Sequence, residues 1–235
     1  MAGHLRGILY ARNFDSYREV RAPLWRKNDG RAVCTASCAL ITFGVTWFRM
    51  STKYKFGDQD KLYFVSFAVI NWIDLFIRNE YRQVMLDSWK YCQLNKGLEI
   101  YGWCIMTSHI HMIIGTNENK PENIMRDMKR HTSENLKAAI QSNKQESRRE
   151  WLLWMMEQAG RKNSNNSNFQ LWRQDNHPVE LYNQKILHQK LDYIHYNPVE
   201  SGFVEKPEDY LYSSARDYYG ITGLIDILLV DPLIV

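Results

Sequence analysis

Residues 101–115 read YGWCIMTSHIHMIIG, an apolar, β-branched run that holds two histidines one residue apart, His109 and His111. Successive strand side chains point to opposite faces, so the two imidazoles share a face and can converge on one ion. Thr107-Ser108 divides the run into two strands, residues 98–106 and 109–115, joined by a tight turn. A His-x-His pair is common, and taken alone the plainer reading is two histidines on the wetter face of an edge strand. A helix much later in the chain bears on the choice.

Outward from this hairpin the pattern is α+β. LYFVSFAVI at residues 62–70 is the first clear strand. A helix is predicted over residues 75–94, with Ile77, Tyr81, Val84, Met85, Trp89 and Cys92 at helical spacing and Lys96-Gly97 as its stop. Pro121 suits the first position of a helix reaching residue 140, whose inward stripe is Met125, Met128, Thr132, Leu136 and Ala139. ESRREWLLWMMEQAG at 146–160 predicts an amphipathic helix with Trp151, Leu152, Trp154 and Met155. KNSNNSN at 162–168 reads as a flexible loop, and residues 169–172 as a short strand-like return. The β-α-β-β order implies a ferredoxin-like or RRM-like antiparallel sheet with helices packed on one face.

Composition bounds the function. Hydrophobic content of 45% and charged content of 24% are those of an ordinary globular protein. A net charge of +4 permits a polyanionic partner without demanding one. Of the four cysteines, Cys34, Cys38, Cys92 and Cys104, none forms a CxxC pair, and a reducing cytoplasm is the simplest home. The sequence has no Walker-type glycine loop, which sets nucleotide hydrolysis aside. Residues 1–49 differ from the rest: scattered Arg and aromatics precede an uncharged run over 32–48 that is marginal in length for a bilayer. A signal peptide or a short anchor is one reading of it. The expectation adopted is a translation start at Met50. Residues 1–49 are then a weakly structured extension, 50–220 the main domain and 221–235 a C-terminal tail, with no membrane span.

YNQKILHQKLDYIHY at 182–196 is helical in pattern, and Asn197-Pro198 is expected to end it because proline disfavours α geometry in the residue before it. Leu187, Leu191 and Ile194 make the buried stripe, while Tyr193 and Asn197, four apart, project together from another face.

Combined, these pieces resemble the REP-associated tyrosine transposases of the HUH superfamily, the IS200-like group. The resemblance runs through GWCIMTSHIHMII, MKRHTSENL and LDYIHYNPVESGFVEKPEDYLYSSARDY, covering roughly residues 52–220. It implies that His109 and His111 hold a divalent metal, Mg²⁺ or Mn²⁺, and that Asn197 completes the protein ligands. It implies Tyr193 as the nucleophile, giving a 5′-phosphotyrosine intermediate on single-stranded, hairpin-containing DNA, in a monomer or a homodimer that exchanges the tyrosine helix. Arg126, Lys129 and Arg130 lie largely outside the inward stripe of their helix and could neutralise phosphates. Arg173 and His177 are further candidate DNA contacts, since the matching family stretch lies beside the active site. Two departures are visible: Thr107-Ser108 stands where many relatives have Pro-Asn, a change in the turn rather than in the ligands, and Glu200 stands where a basic residue is common. Rival readings are a non-catalytic DNA- or RNA-binding regulator, a relaxase or replication-initiation nuclease, and a His-x-His metal hydrolase without a covalent step.

Overall fold

The computed structural model describes residues 56–117, 120–163, 168–174, 176 and 178–230, together with the short antiparallel pairing of Lys27–Asn28 (β1) and Arg31–Ala32 (β2). Contacts divide the chain into Met1–Arg49 and Met50–Val235. The expected uncharged run beyond Ala32, the start at Met50 and residues 231–235 lie outside the described residues.

The second unit is organised on a four-stranded antiparallel sheet in the order β4-β5-β3-β6, formed by β3 (Tyr63–Ala68), β4 (Leu98–Ile105), β5 (His109–Thr116) and β6 (Val179–Glu180). All the pairings are antiparallel, and Ser66 sits opposite His111. The histidine strand is therefore a central strand, which replaces the edge-strand reading. A central strand covered on both faces is rich in apolar residues, and β5 supplies Ile110 and the run Met112-Ile113-Ile114.

The two faces have different cores. Val65, Phe67, Trp103, Ile105, Ile110, Met112 and Ile114 pack with α1 (Asn79–Lys96), α2 (Pro121–Ser142) and α3 (Arg149–Arg161). On the opposite face Phe64, Cys104 and Ile113 meet Leu187, Leu191 and Ile194 of α4 (Gln184–Glu200). The predicted helical layer on one face is thus α1 to α3, and the helix carrying Tyr193 lies across the other. It comes close because β4 bulges between Ile100 and Gly102, and because Gly102 has no side chain: a Cβ there would stand 2.7 Å from Leu191 Cδ1. The outer edge of β4 is closed by the chain's own later residues. Tyr212 O accepts from Ile105 N at 2.9 Å, Ser214 N donates to Trp103 O at 2.9 Å, and Leu228 N donates to Ile100 O at 2.9 Å. The segment after Gly220 is therefore attached to the sheet as far as these bonds reach. Among the described residues no helix is long and apolar enough to cross a membrane.

Three helix boundaries depart from expectation. α1 begins at Asn79, because Leu75 and Phe76 are fully buried in the connection before it, where Phe76 N donates to Thr107 O. α3 begins at Arg149 and buries Leu152, Met156 and Gly160, leaving Trp151 and Trp154 about half exposed. α4 begins after Asn183, whose side chain caps Ile186 N, and continues through Asn197-Pro198 to Glu200. Proline costs only the bond that Ile194 O would accept, which the last turn tolerates. The stop is Gly202, with φ +74°: Phe203 N donates to Pro198 O and Gly202 N to Val199 O, the paired bonds of a Schellman end.

Glu146 turns inward just before α3, its side chain 1% exposed, and takes Arg78 Nε at 2.7 Å and Arg148 Nε at 3.1 Å. Burial pushes the carboxyl up, but the bonds from Arg148 and Arg78 outweigh it and hold the pKa at about 2 against an ordinary 4.5. A lowered folded-state pKa gives stability that is present above pH 4.5 and is lost as pH falls towards 2. Glu146→Gln is expected to destabilise the fold by about 3 kcal/mol at neutral pH, the low end for a buried pair because both guanidiniums keep some solvent, and to flatten the acid limb of a urea-unfolding series. Gly102→Val is expected to cost about 1–3 kcal/mol through overpacking against Leu191, read as a drop in melting temperature.

Candidate metal and nucleophile site

β5 and α4 bring four of the predicted residues together. The rings of His109 and His111 have centroids 4.8 Å apart, and the amide nitrogen of Asn197 lies 3.4 Å from His111 Nε2. One turn earlier on α4 the Tyr193 ring stands edge-on to His111, 5.1 Å between centroids. His111 and Asn197 are buried, whereas Tyr193 is 42% exposed, so its hydroxyl edge can meet a ligand from solvent. Because α4 runs unbroken through Pro198, Tyr193 and Asn197 stay one full turn apart on the helix.

Neighbours fix these groups. Phe64 stacks on His111 at 5.6 Å and meets Tyr193 edge-on at 6.0 Å. Ser108 Oγ lies 3.2 Å from His109 Nδ1, so the turn that departs from the family's Pro-Asn does touch a candidate ligand. Trp72 abuts the other side of His109 at 5.3 Å. Lys190 Nζ sits 4.9 Å from the Phe64 ring centre and 5.7 Å from that of Tyr193.

Burial, the neighbouring His109 and Lys190 push the His111 pKa down to about 3, and burial lowers that of His109 against the pull of Asp74. Both imidazoles are therefore neutral near pH 7, the state in which a ring nitrogen can bind a metal. Burial and the Glu200 carboxylate raise the Tyr193 phenol, against a hydrogen bond with Asn197 that lowers it. A phenol held in its protonated form needs positive charge nearby to act as a nucleophile.

Two imidazoles and one amide suit a cation that keeps water or substrate oxygens on its remaining positions. His111 Nδ1 is buried without a hydrogen-bond partner, an orphaned polar atom in keeping with a ring built for another ligand. Among the described residues no cluster of three or more His, Cys, Asp and Glu occurs, so the amide would have to serve as the third protein ligand.

The predicted DNA contacts are spread more widely. Arg173 is exposed and stands over the Trp72 ring at 5.5 Å, which links it to His109. Lys129 Nζ donates to Arg173 O at 2.7 Å and to Asn176 Oδ1 at 2.6 Å, so it braces the return strand. Arg126 is exposed beside Asp127 at 3.2 Å, and Arg130 faces Glu134 at 3.8 Å. His177 lies outside the described residues. His195 faces away from the site and is buried against Ser214 Oγ at 2.9 Å.

Sequence reasoning did not single out Phe64, Trp72 or Lys190, and it named Ser108 only as part of the turn. Lys190 carried a signal, since it lies one turn before Tyr193 on the same helix. Phe64 becomes a neighbour of His111 only once Ser66 is known to pair with that residue.

Residues 69–157 match the family described as Transposase IS200 like, a span that contains both histidines and stops short of Tyr193 and Asn197. No curated protein matches the chain. Among solved structures, a REP-associated tyrosine transposase bound to a REP hairpin is similar at 17% identity and a TM-score of 0.53, covering 79% of this chain and 100% of that one. The segment around the histidines is therefore IS200-like in sequence, and the chain has the fold of a REP-associated tyrosine transposase.

Proposed function

We propose that this chain is a transposase that cleaves and transfers single-stranded DNA next to a hairpin, through a covalent bond to Tyr193. The observation that carries this reading is the convergence of Tyr193 and Asn197 from α4 on His109 and His111 from β5. The family match around the histidines and a structural neighbour bound to a REP hairpin support a DNA substrate.

A phosphodiester resists attack because its anionic oxygens repel the nucleophile. His109, His111 and Asn197 would hold a divalent Mg²⁺ or Mn²⁺, which when bound supplies a Lewis acid for a phosphate oxygen. Tyr193 Oη attacks the phosphorus. The new Oη–P bond forms as the P–O3′ bond breaks, the phenolic proton passes to solvent, and the departing 3′-oxygen takes up a proton. The products are a 5′-phosphotyrosine and a 3′-OH. Because the linkage keeps the reactivity of the broken bond, a second 3′-OH can reverse the step and rejoin strands without a nucleotide cofactor. Asn197 holds the phenol by a hydrogen bond, and Phe64 walls His111 and Tyr193 on one side. The cytoplasm, where such DNA is met, is the compartment in keeping with this chemistry.

With a hairpin DNA taken from the flanks of its own gene and Mn²⁺, the protein is expected to give an adduct that survives denaturing electrophoresis. The adduct should disappear with EDTA and in Tyr193→Phe, while hairpin binding by Tyr193→Phe persists. Cleavage that survives Tyr193→Phe would move the nucleophile to water and overturn the covalent mechanism. Independently of turnover, His111→Ala is expected to weaken Mn²⁺ binding, followed by electron paramagnetic resonance, by more than the roughly 10–100-fold typical of losing an outer-sphere partner of a metal ligand.

A further inference from the structure

The turn between β3 and α1 is strained and displays an aromatic ring. Ile73 N donates to Ile70 O at 3.2 Å, closing a four-residue turn whose central residues, Asn71 and Trp72, have φ +53° and +54°. A turn with two positive φ values ordinarily takes Asn-Gly, and here the glycine position is held by the bulkiest side chain available. Hydrophobic burial does not repay this, because Trp72 is 53% exposed between the buried Ile70 and Ile73. The conformation is imposed from both sides: Val69 N donates to Ser108 O, Ile70 N to Leu171 O, and Arg173 N to Ala68 O. A strained residue held this firmly beside a reaction centre points to a task for its side chain.

What Trp72 faces suggests the task. One edge meets His109, and the Arg173 guanidinium stands over the ring. Beyond it opens a cleft of about 680 Å³, bounded on the far side by Trp154 of α3, which is itself 55% exposed, with Lys162 and Gln170 on its rim. Two exposed indoles and two cationic side chains around one concavity are complementary to a flat, π-rich group joined to an anionic backbone. Enclosure of this kind would not suit paired bases, whose faces are already stacked.

Resting on the strand-transfer reading above, we infer that the Trp72–Trp154 cleft is a subsite for one unpaired nucleobase flanking the scissile phosphate, stacked on Trp72, with Arg173 and Lys162 beside the adjoining phosphates. Contact between Trp72 and His109 makes the subsite continuous with the metal and nucleophile site, so seating the base sets which phosphate reaches Tyr193.

The test uses the full chain and a hairpin DNA with an unpaired flank copied from beside the gene, each flank nucleotide being replaced in turn by an abasic one. In the wild type, one abasic position is expected to weaken binding roughly tenfold. In Trp72→Gly, affinity should fall to the level of that abasic complex and the same position should cease to matter. The melting temperature should not fall, because glycine accepts the positive φ that tryptophan is forced into. Trp154→Ala should show the same loss at the same position. An abasic profile unchanged in Trp72→Gly, with hairpin binding and the Tyr193 adduct intact, overturns the subsite and leaves strand transfer standing. Failure of the wild type to bind the hairpin or to form the adduct removes both.

Discussion

The structure depends on how closely one helix can lie on one face of the sheet. α4 reaches β4 because Gly102 offers no side chain under Leu191. That contact sets the height of the helix, and with it the separation of Tyr193 and Asn197 from the two histidines. Apolar residues elsewhere on this face, Phe64, Cys104, Ile113, Leu187 and Ile194, set the helix's position along and across the strands. A polar site has thus been placed at the margin of an apolar interface, where side chains are held by packing and one edge remains open to solvent.

This placement explains the site's electrostatics. Burial discourages charge on His109 and His111, so that each keeps one unprotonated ring nitrogen, while the same burial holds the Tyr193 phenol protonated. Positive charge near Tyr193 comes from Lys190, set against Glu200 on the same helix. The basic residues of α2 contribute less directly than their number suggests. Lys129 is engaged with the return strand, and Arg126 and Arg130 have acidic neighbours.

Much of this was legible in the sequence, for reasons that differ by element. The histidine strand announced itself through a long apolar run, and the i,i+4 spacing of Tyr193 and Asn197 survived because it is a local property of a helix. Where α4 stops was misjudged: Asn-Pro looks like a terminator, but the stronger signal was Ser201-Gly202-Phe203, a glycine followed by a hydrophobic residue as a Schellman end requires. The helix at 146–160 was read as amphipathic without an inward stripe, and the fold sets its buried face as the Leu152-Met156-Gly160 row. The positive φ of Trp72 has no sequence signature, since it arises from hydrogen bonds to Ser108 and Leu171, residues remote from it in the chain. Features set by pairing across the sheet had to wait for the fold.

The closure of β4 by the chain's own later residues has a consequence for synthesis. Trp103 pairs with Ser214 and Ile100 with Leu228, while α4, which covers the same strand, also comes from the last quarter of the sequence. During translation β4 leaves the ribosome with one edge and one face uncovered; the face waits for α4, and the edge is closed in full only when residues near 228 have followed it out. Tyr193 can meet the histidines only once α4 has followed β5 out.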